Sequence, residues 1–163
     1  MNSPKSLIAS LPLLCLALMG CPKPPTPPPT PTPPPPAIEV KITEPADGAP
    51  VEQVTTVRGT SRNVPPDRKI WVVVFLPKFG RYYPHNAPAD VQSDGQWFSL
   101  CYIGQPNAKD AGLNAQIIAV LADSSVQTTF ENYLRTARDR QDYPGLESIP
   151  PGASYDRKNV VRK

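Results

Sequence analysis

The chain has 163 residues, 24 of them proline, and a formal net charge of +3 at neutral pH. This charge is small and no run of basic residues concentrates it, so we expect no nucleic-acid partner. Of the prolines, 11 fall between Pro22 and Pro36. The remainder, about 125 residues, has the size of one domain with its own hydrophobic core.

An apolar stretch near the amino terminus has the features of a secretory signal peptide. Lys5 precedes residues 7–19, which are apolar except for Ser10 and Pro12. This run of about 13 residues is too short to span a bilayer as a helix, but it has the length of a signal-peptide core. The sequence therefore predicts a leader over residues 1–20.

The residues that end this stretch, Leu18-Met19-Gly20-Cys21, resemble the lipobox of bacterial lipoproteins. The resemblance implies cleavage between Gly20 and Cys21 and attachment of acyl chains, such as palmitate, to Cys21. Each buried methylene stabilises membrane binding by roughly 0.8 kcal/mol, so several chains anchor a protein firmly. Pro22 rather than aspartate follows, which by resemblance to Gram-negative lipoprotein sorting implies the outer membrane or periplasmic face rather than inner-membrane retention. The alternative is an ordinary leader in which Cys21 is a coincidence.

Residues 21–37 are expected to form a disordered linker dominated by proline. Proline lacks a backbone donor and fixes φ, so this stretch favours polyproline II over helix or sheet. At about 3.1 Å per residue, some 15 residues reach on the order of 45 Å, enough to hold a domain clear of a membrane. The alternative is a ligand for a proline-binding module, since PxxP spacings occur here.

From residue 38 onward, short apolar runs alternate with turn residues, which predicts strands. Two runs, Ile70–Leu76 and Asn114–Leu121, are apolar on both faces and are therefore expected to be central in a sheet. Ser93-Asp94-Gly95 predicts a tight turn. The remaining predicted strands are Ile38–Ile42, Val51–Thr60, an edge strand within Phe79–His85, Trp97–Ile103 and a weaker Tyr155–Val161.

Between the strands predicted at residues 114–121 and 155–161, the spacing of the apolar residues changes to the period of a helix. Val126, Phe130, Tyr133, Leu134 and Ala137 fall on one stripe, which predicts a helix over about residues 125–138. Ser124 or Ser125 is the predicted cap. This helix would cover the strands that are apolar on both faces.

The strand region contains four short motifs, which are Ile42-Thr43-Glu44-Pro45, Val57-Arg58-Gly59-Thr60, Ile70-Trp71-Val72-Val73-Val74 and Asp94-Gly95-Gln96-Trp97. In this order they resemble the motifs of bacterial immunoglobulin-like domains, over roughly residues 38–122. The resemblance implies a mainly β fold, an immunoglobulin-like β-sandwich of six or seven strands, as one domain over residues 38–163. The helix and the lack of an intrachain cysteine pair depart from that pattern.

We find no catalytic, metal or cofactor motif in the sequence. His85, the only histidine, falls in a predicted surface loop, and no serine has a nucleophile-elbow context. One histidine and one cysteine of the folded part, Cys101, do not make a zinc site. We expect Cys101 to act as a buried apolar residue. The sequence thus favours a protein that is not an enzyme.

One group of aromatic residues is a candidate ligand-contact surface, near the predicted edge strand and the turn that follows it. The first hypothesis is a scaffold or interaction lipoprotein that binds another envelope protein. The alternative is a glycan- or peptidoglycan-binding module that uses these rings. A third interpretation is that the rings merely cap the core. The candidate residues are Phe79, Tyr82, Tyr83, His85 and Trp97.

Overall fold

The computed structural model describes residues 36–106, 110–150 and 154–163. The predicted leader, the lipidation site Cys21 and the proline-rich linker up to residue 35 lie outside the described residues. Within the described part of the chain, no helix is both long enough and apolar enough to cross a membrane.

The described residues form nine strands and one helix, joined by turns and loops. Their bounds are β1 Glu39–Glu44, β2 Ala49–Val51, β3 Val54–Arg62, β4 Lys69–Leu76, β5 Arg81–Pro84, β6 Asp90–Val91, β7 Gln96–Tyr102, β8 Asn114–Ala122, α1 Ser124–Arg140 and β9 Ser154–Arg162. They form a four-stranded sheet in the order β1-β3-β7-β6 and a five-stranded sheet in the order β2-β9-β8-β4-β5. The prediction of a mainly β fold with two sheets is confirmed, although the described residues hold more strands than the six or seven expected.

Strands β4 and β8 lie side by side inside the five-stranded sheet, as their apolar runs predicted. Side chains alternate across a strand, so each of these strands contributes to two hydrophobic clusters. Ile70, Val72 and Val74 of β4 point into the core between the two sheets. Trp71 and Val73 point to the opposite face, toward α1. The five-stranded sheet is therefore covered on both sides.

Helix α1 covers that outer face through the predicted stripe. Its buried residues are Val126, Phe130, Leu134 and Ala137. The Phe130 ring meets Trp71 edge to face, with ring centroids 5.3 Å apart. The N-cap is Asp123, whose carboxylate accepts from Val126 N at 3.0 Å, so the prediction of a serine cap is wrong. A carboxylate satisfies the free amide at least as well as a hydroxyl, and here it lies one residue earlier.

The prediction of one strand from Val51 to Thr60 is also wrong. Strand β2 ends at Val51 and pairs in parallel with β9, whereas β3 begins at Val54 and pairs with β1 and β7. The chain thus changes sheets between residues 51 and 54. Strand β9 lies between β2 and β8, which gives the weakly predicted last strand an interior position in its sheet.

Trp97 is a large buried side chain on the inner face of the four-stranded sheet. Its side chain is 1% exposed and lies against Gly59, its partner across β3 and β7. A Cβ atom at Gly59 would overlap the indole ring and the carbonyl oxygen of Lys41. Glycine at residue 59 therefore makes room for tryptophan, a close approach that no other residue permits.

Candidate binding surfaces

The structure does not gather the predicted aromatic residues into one surface. Phe79 lies in the turn after β4 and is half exposed. Successive residues of β5 point to opposite faces, so Tyr82 stacks on Phe75 in the helix-side cluster, with ring centroids 4.5 Å apart. Tyr83 points to the other side and packs against the core between the sheets.

Two of the predicted contact residues are buried. Trp97 belongs to the core, so the expectation that it faces a ligand is wrong. His85, predicted as a surface loop residue, is only 9% exposed, and its ring packs against Tyr102 with centroids 5.4 Å apart. Its backbone N–H donates to Val72 O at 2.9 Å, which continues the pairing beyond β5 and draws the side chain inward.

Burial determines the charge of His85. The loss of hydration lowers the pKa of His85 from 6.5 to about 4. The imidazole is therefore neutral at physiological pH and presents a polar but uncharged ring beside Tyr102.

A cleft of about 650 Å³ opens beside the edge strand β5, and we call it the tyrosine cleft. It brings together three of the predicted residues, Phe79, Tyr83 and His85. It adds residues that sequence reasoning missed, because they come from β7, from α1 and from the segment that follows the helix. These additional aromatic residues are Tyr102, Tyr133 and Tyr143.

The segment after α1 fixes one wall of the tyrosine cleft. Leu146 exchanges two backbone hydrogen bonds with Tyr82, at 2.9 and 2.7 Å, and so pairs with the free edge of β5. Gly145 N–H donates to the Tyr133 hydroxyl oxygen at 3.2 Å, and a Cβ at Gly145 would press on the Tyr83 ring. Burial raises the pKa of both Tyr83 and Tyr133, so both hydroxyl groups keep their protons.

The opposite wall of the tyrosine cleft is polar. Asp110 accepts from Gln105 N at 2.7 Å and lies 3.6 Å from the guanidinium of Arg162, which is 7% exposed. The Asp110 carboxylate is thus already paired. Lys78 is the other charged residue among the described lining residues. Because Arg162 neutralises Asp110, the charge that the cleft presents is that of a single lysine.

A second surface, which we call the apolar row, lies on the outer face of the four-stranded sheet. Every second residue of β7 points outward there, and Val54 stands directly across from Tyr102 on β3. The exposed fractions are 38% for Phe98, 45% for Leu100, 45% for Tyr102 and 44% for Val54. These apolar side chains are neighbours on one face, and Tyr102 joins the apolar row to the tyrosine cleft.

Cys101 and the acidic residues offer little chemistry in this structure. Cys101 is fully buried, as predicted, and burial raises the pKa of its thiol to about 12. A thiol in that state is not an effective nucleophile at neutral pH. Among the described residues, no group of three or more histidine, cysteine or acidic side chains is arranged to hold a metal ion.

The sequence has no match among protein-family models. No curated protein matches it either.

Proposed function

We propose that this protein is a lipid-anchored lipoprotein of the bacterial cell envelope that presents a non-catalytic, immunoglobulin-like domain to another envelope protein. The lipobox-like residues 18–21 and the proline-rich linker support the anchor. The two-sheet fold and the order of its strand motifs support the immunoglobulin-like assignment. The observation that carries the binding function is the apolar row.

Scattered apolar residues are normal on a protein surface, whereas a contiguous group indicates an interaction site. Phe98, Leu100 and Tyr102 are spaced about 7 Å apart, since alternate residues of a strand share a face. On β3, apolar Val54 lies beside Tyr102, whereas the neighbours of the other two are polar. Thr56 lies beside Leu100 and Arg58 beside Phe98. Arg58 is in turn within 3.4 Å of Glu44. An apolar centre with a polar, charged border is the composition of a protein–protein interface.

The partner that fits this surface is a folded protein with its own apolar or aromatic patch. Exposed Phe and Tyr side chains bury large areas at modest entropic cost, which makes them common anchors of such interfaces. The linker would hold the domain at a distance from the membrane at which partners in the envelope are accessible.

The apolar row is tested by substituting Leu100 at its centre. We expect Leu100→Lys to abolish capture of a single stoichiometric protein from envelope extract, because it places a charge at a desolvated interface. The matched control is Val161→Lys, since Val161 is 37% exposed on β9 of the other sheet. The capture should survive digestion of the glycan. Equal capture by both variants, or loss of capture on digestion, would contradict the proposed interface.

The anchor is tested separately, by Cys21→Ser. A serine hydroxyl cannot accept the thioether-linked lipid, so we expect the protein to leave the detergent phase in a phase-partition experiment. The control is the Cys101→Ser variant, which should stay in that phase because Cys101 is buried in the folded domain. If Cys21→Ser still partitions with the membrane, the lipoprotein assignment is wrong.

A further inference from the structure

We propose that the tyrosine cleft is a second binding site, which adjoins the apolar row at Tyr102, and that its ligand is a neutral saccharide. The inference stands on the size of the cleft, on the presence of both aromatic and amide side chains along it, and on its low charge. It goes beyond the protein-binding function proposed above and can fail independently of it.

The size of the cleft suits a small ligand. Its volume of about 650 Å³ lies within the range of roughly 300–1,000 Å³ that is typical of small-molecule sites. A folded protein partner needs a broader and flatter surface, which the apolar row provides instead.

Three tyrosine rings supply flat walls. Tyr102 is 45% exposed and Tyr143 is 48% exposed, so part of each side chain is accessible to a ligand, although the Tyr102 ring also packs against His85. Tyr83 lines the same cleft and packs against the core. A sugar ring has a face of C–H groups that packs on an aromatic ring while its hydroxyl groups point outward in the ring plane. A tyrosine suits this dual character, since it has an apolar face and a polar tip.

Amide side chains supply hydrogen-bonding groups for the hydroxyl groups of a sugar. Gln53, Asn86 and Gln105 line the same cleft. Each amide has both donors and an acceptor, the combination needed by a hydroxyl group that donates and accepts at once. The neutral imidazole of His85 offers one donor and one acceptor in the same way.

The charge of the cleft favours a neutral saccharide over an anionic or cationic ligand. A phosphate or carboxylate ligand requires concentrated positive charge, whereas Lys78 is the single cation among the described lining residues. Asp110 itself is occupied by Gln105 N–H and Arg162. A neutral ligand that forms hydrogen bonds therefore fits better than an anion or a cation.

The cleft is also fixed before any ligand arrives. The Tyr82–Leu146 backbone pair, the Gly145 contact with Tyr133 and an ion pair of 2.9 Å between Arg81 and Glu147 hold the segment after α1 on β5. Walls that are already in position reduce the entropy lost on binding.

The experiment is titration calorimetry of the detergent-purified full-length protein with N-acetylchitotetraose and with cellotetraose, supported by saturation-transfer NMR. We expect at least one of the two to bind, and Tyr143→Ala to weaken that binding about tenfold, the scale of one aromatic contact. Tyr155→Ala is the matched control, because Tyr155 is 37% exposed and lies outside the cleft. Leu100→Lys should leave sugar binding unchanged.

Two results would overturn the inference. One is no binding of either saccharide at millimolar concentration by both methods. The other concerns a synthetic peptide of residues 22–36, because proline-rich segments also bind aromatic grooves. If that peptide binds in a Tyr143-dependent way and the saccharides do not, the cleft recognises a polypeptide instead. Loss of capture by Leu100→Lys alongside intact sugar binding would show that the two surfaces act separately.

Discussion

Replacing Phe130 by alanine is expected to lower the free energy of unfolding by about 3–5 kcal/mol, the range for truncating a fully buried aromatic side chain. Phe130 is 0% exposed and is the largest side chain that α1 contributes to the cluster beneath it. The substitution leaves a cavity against Trp71 and removes an edge-to-face aromatic contact. Urea denaturation followed by circular dichroism measures the loss.

Glu131→Ala is the matched control, because Glu131 is the next residue of the helix and its side chain is exposed. It should change stability by less than about 0.5 kcal/mol. The tyrosine cleft depends on the same packing of α1 against the sheet, because Leu134, one turn further along the helix, lines the cleft. If the two variants unfold at the same urea concentration, α1 does not stabilise the sheet in the way described.

The second large effect is a dependence of stability on pH that arises from His85. In the unfolded chain its pKa is near 6.5, whereas in the folded protein burial lowers the pKa of His85 to about 4. Between these values the unfolded state binds a proton and the native state does not. Stability is therefore fully present above pH 6.5 and falls as the pH drops toward 4, by up to about 3 kcal/mol from this group.

A His85→Gln variant isolates this contribution, because glutamine keeps a polar side chain but has no proton to gain. We expect its stability to change less between pH 6.5 and 4 than that of the parent protein. The other titratable groups are the same in both proteins, so their contributions cancel in the difference. Identical slopes of stability against pH would mean that His85 is not buried in a neutral state.

The sequence predicted the elements whose pattern is decided locally. Residues 70–76 and 117–122 are apolar without interruption, and only an interior strand that is covered on both faces buries such a run. The stripe from Val126 to Ala137 is likewise a local pattern, and its partner surface exists because β4 and β8 need a cover. Consistent local signals of this kind led directly to the two central strands and to the helix that covers them.

The surfaces were harder to predict, because β7 is apolar on both faces. Trp97 and Cys101 point inward while Phe98, Leu100 and Tyr102 point outward, and period-two alternation alone does not say which set is buried. One signal was available in the sequence. The single predicted helix was already needed to cover β4 and β8, so a third strand with two apolar faces had to leave one of them exposed.

Long-range pairing explains the other errors. Nothing local to Val51 indicates a parallel partner in residues 160–162, and nothing local to His85 indicates that Tyr102 will cover it. Tyr133 and Tyr143 join Tyr83 in one cleft only because the segment after α1 returns to the edge of β5. These contacts depend on sheet order, which the sequence pattern leaves open.

The interior position of β9 has a consequence for synthesis. Until residues 154–162 have left the ribosome, β8 has one unpaired edge and β2 has no partner strand. Arg162, whose burial beside Asp110 closes that end of the sheet, belongs to the same late segment. The five-stranded sheet therefore assembles only after residues 154–162 have been translated, rather than progressively from its amino-terminal strands. Under the export proposed above, a sheet that closes only on β9 leaves the domain unfolded while its earlier strands pass through a narrow translocation channel, and defers folding to the far side of the membrane.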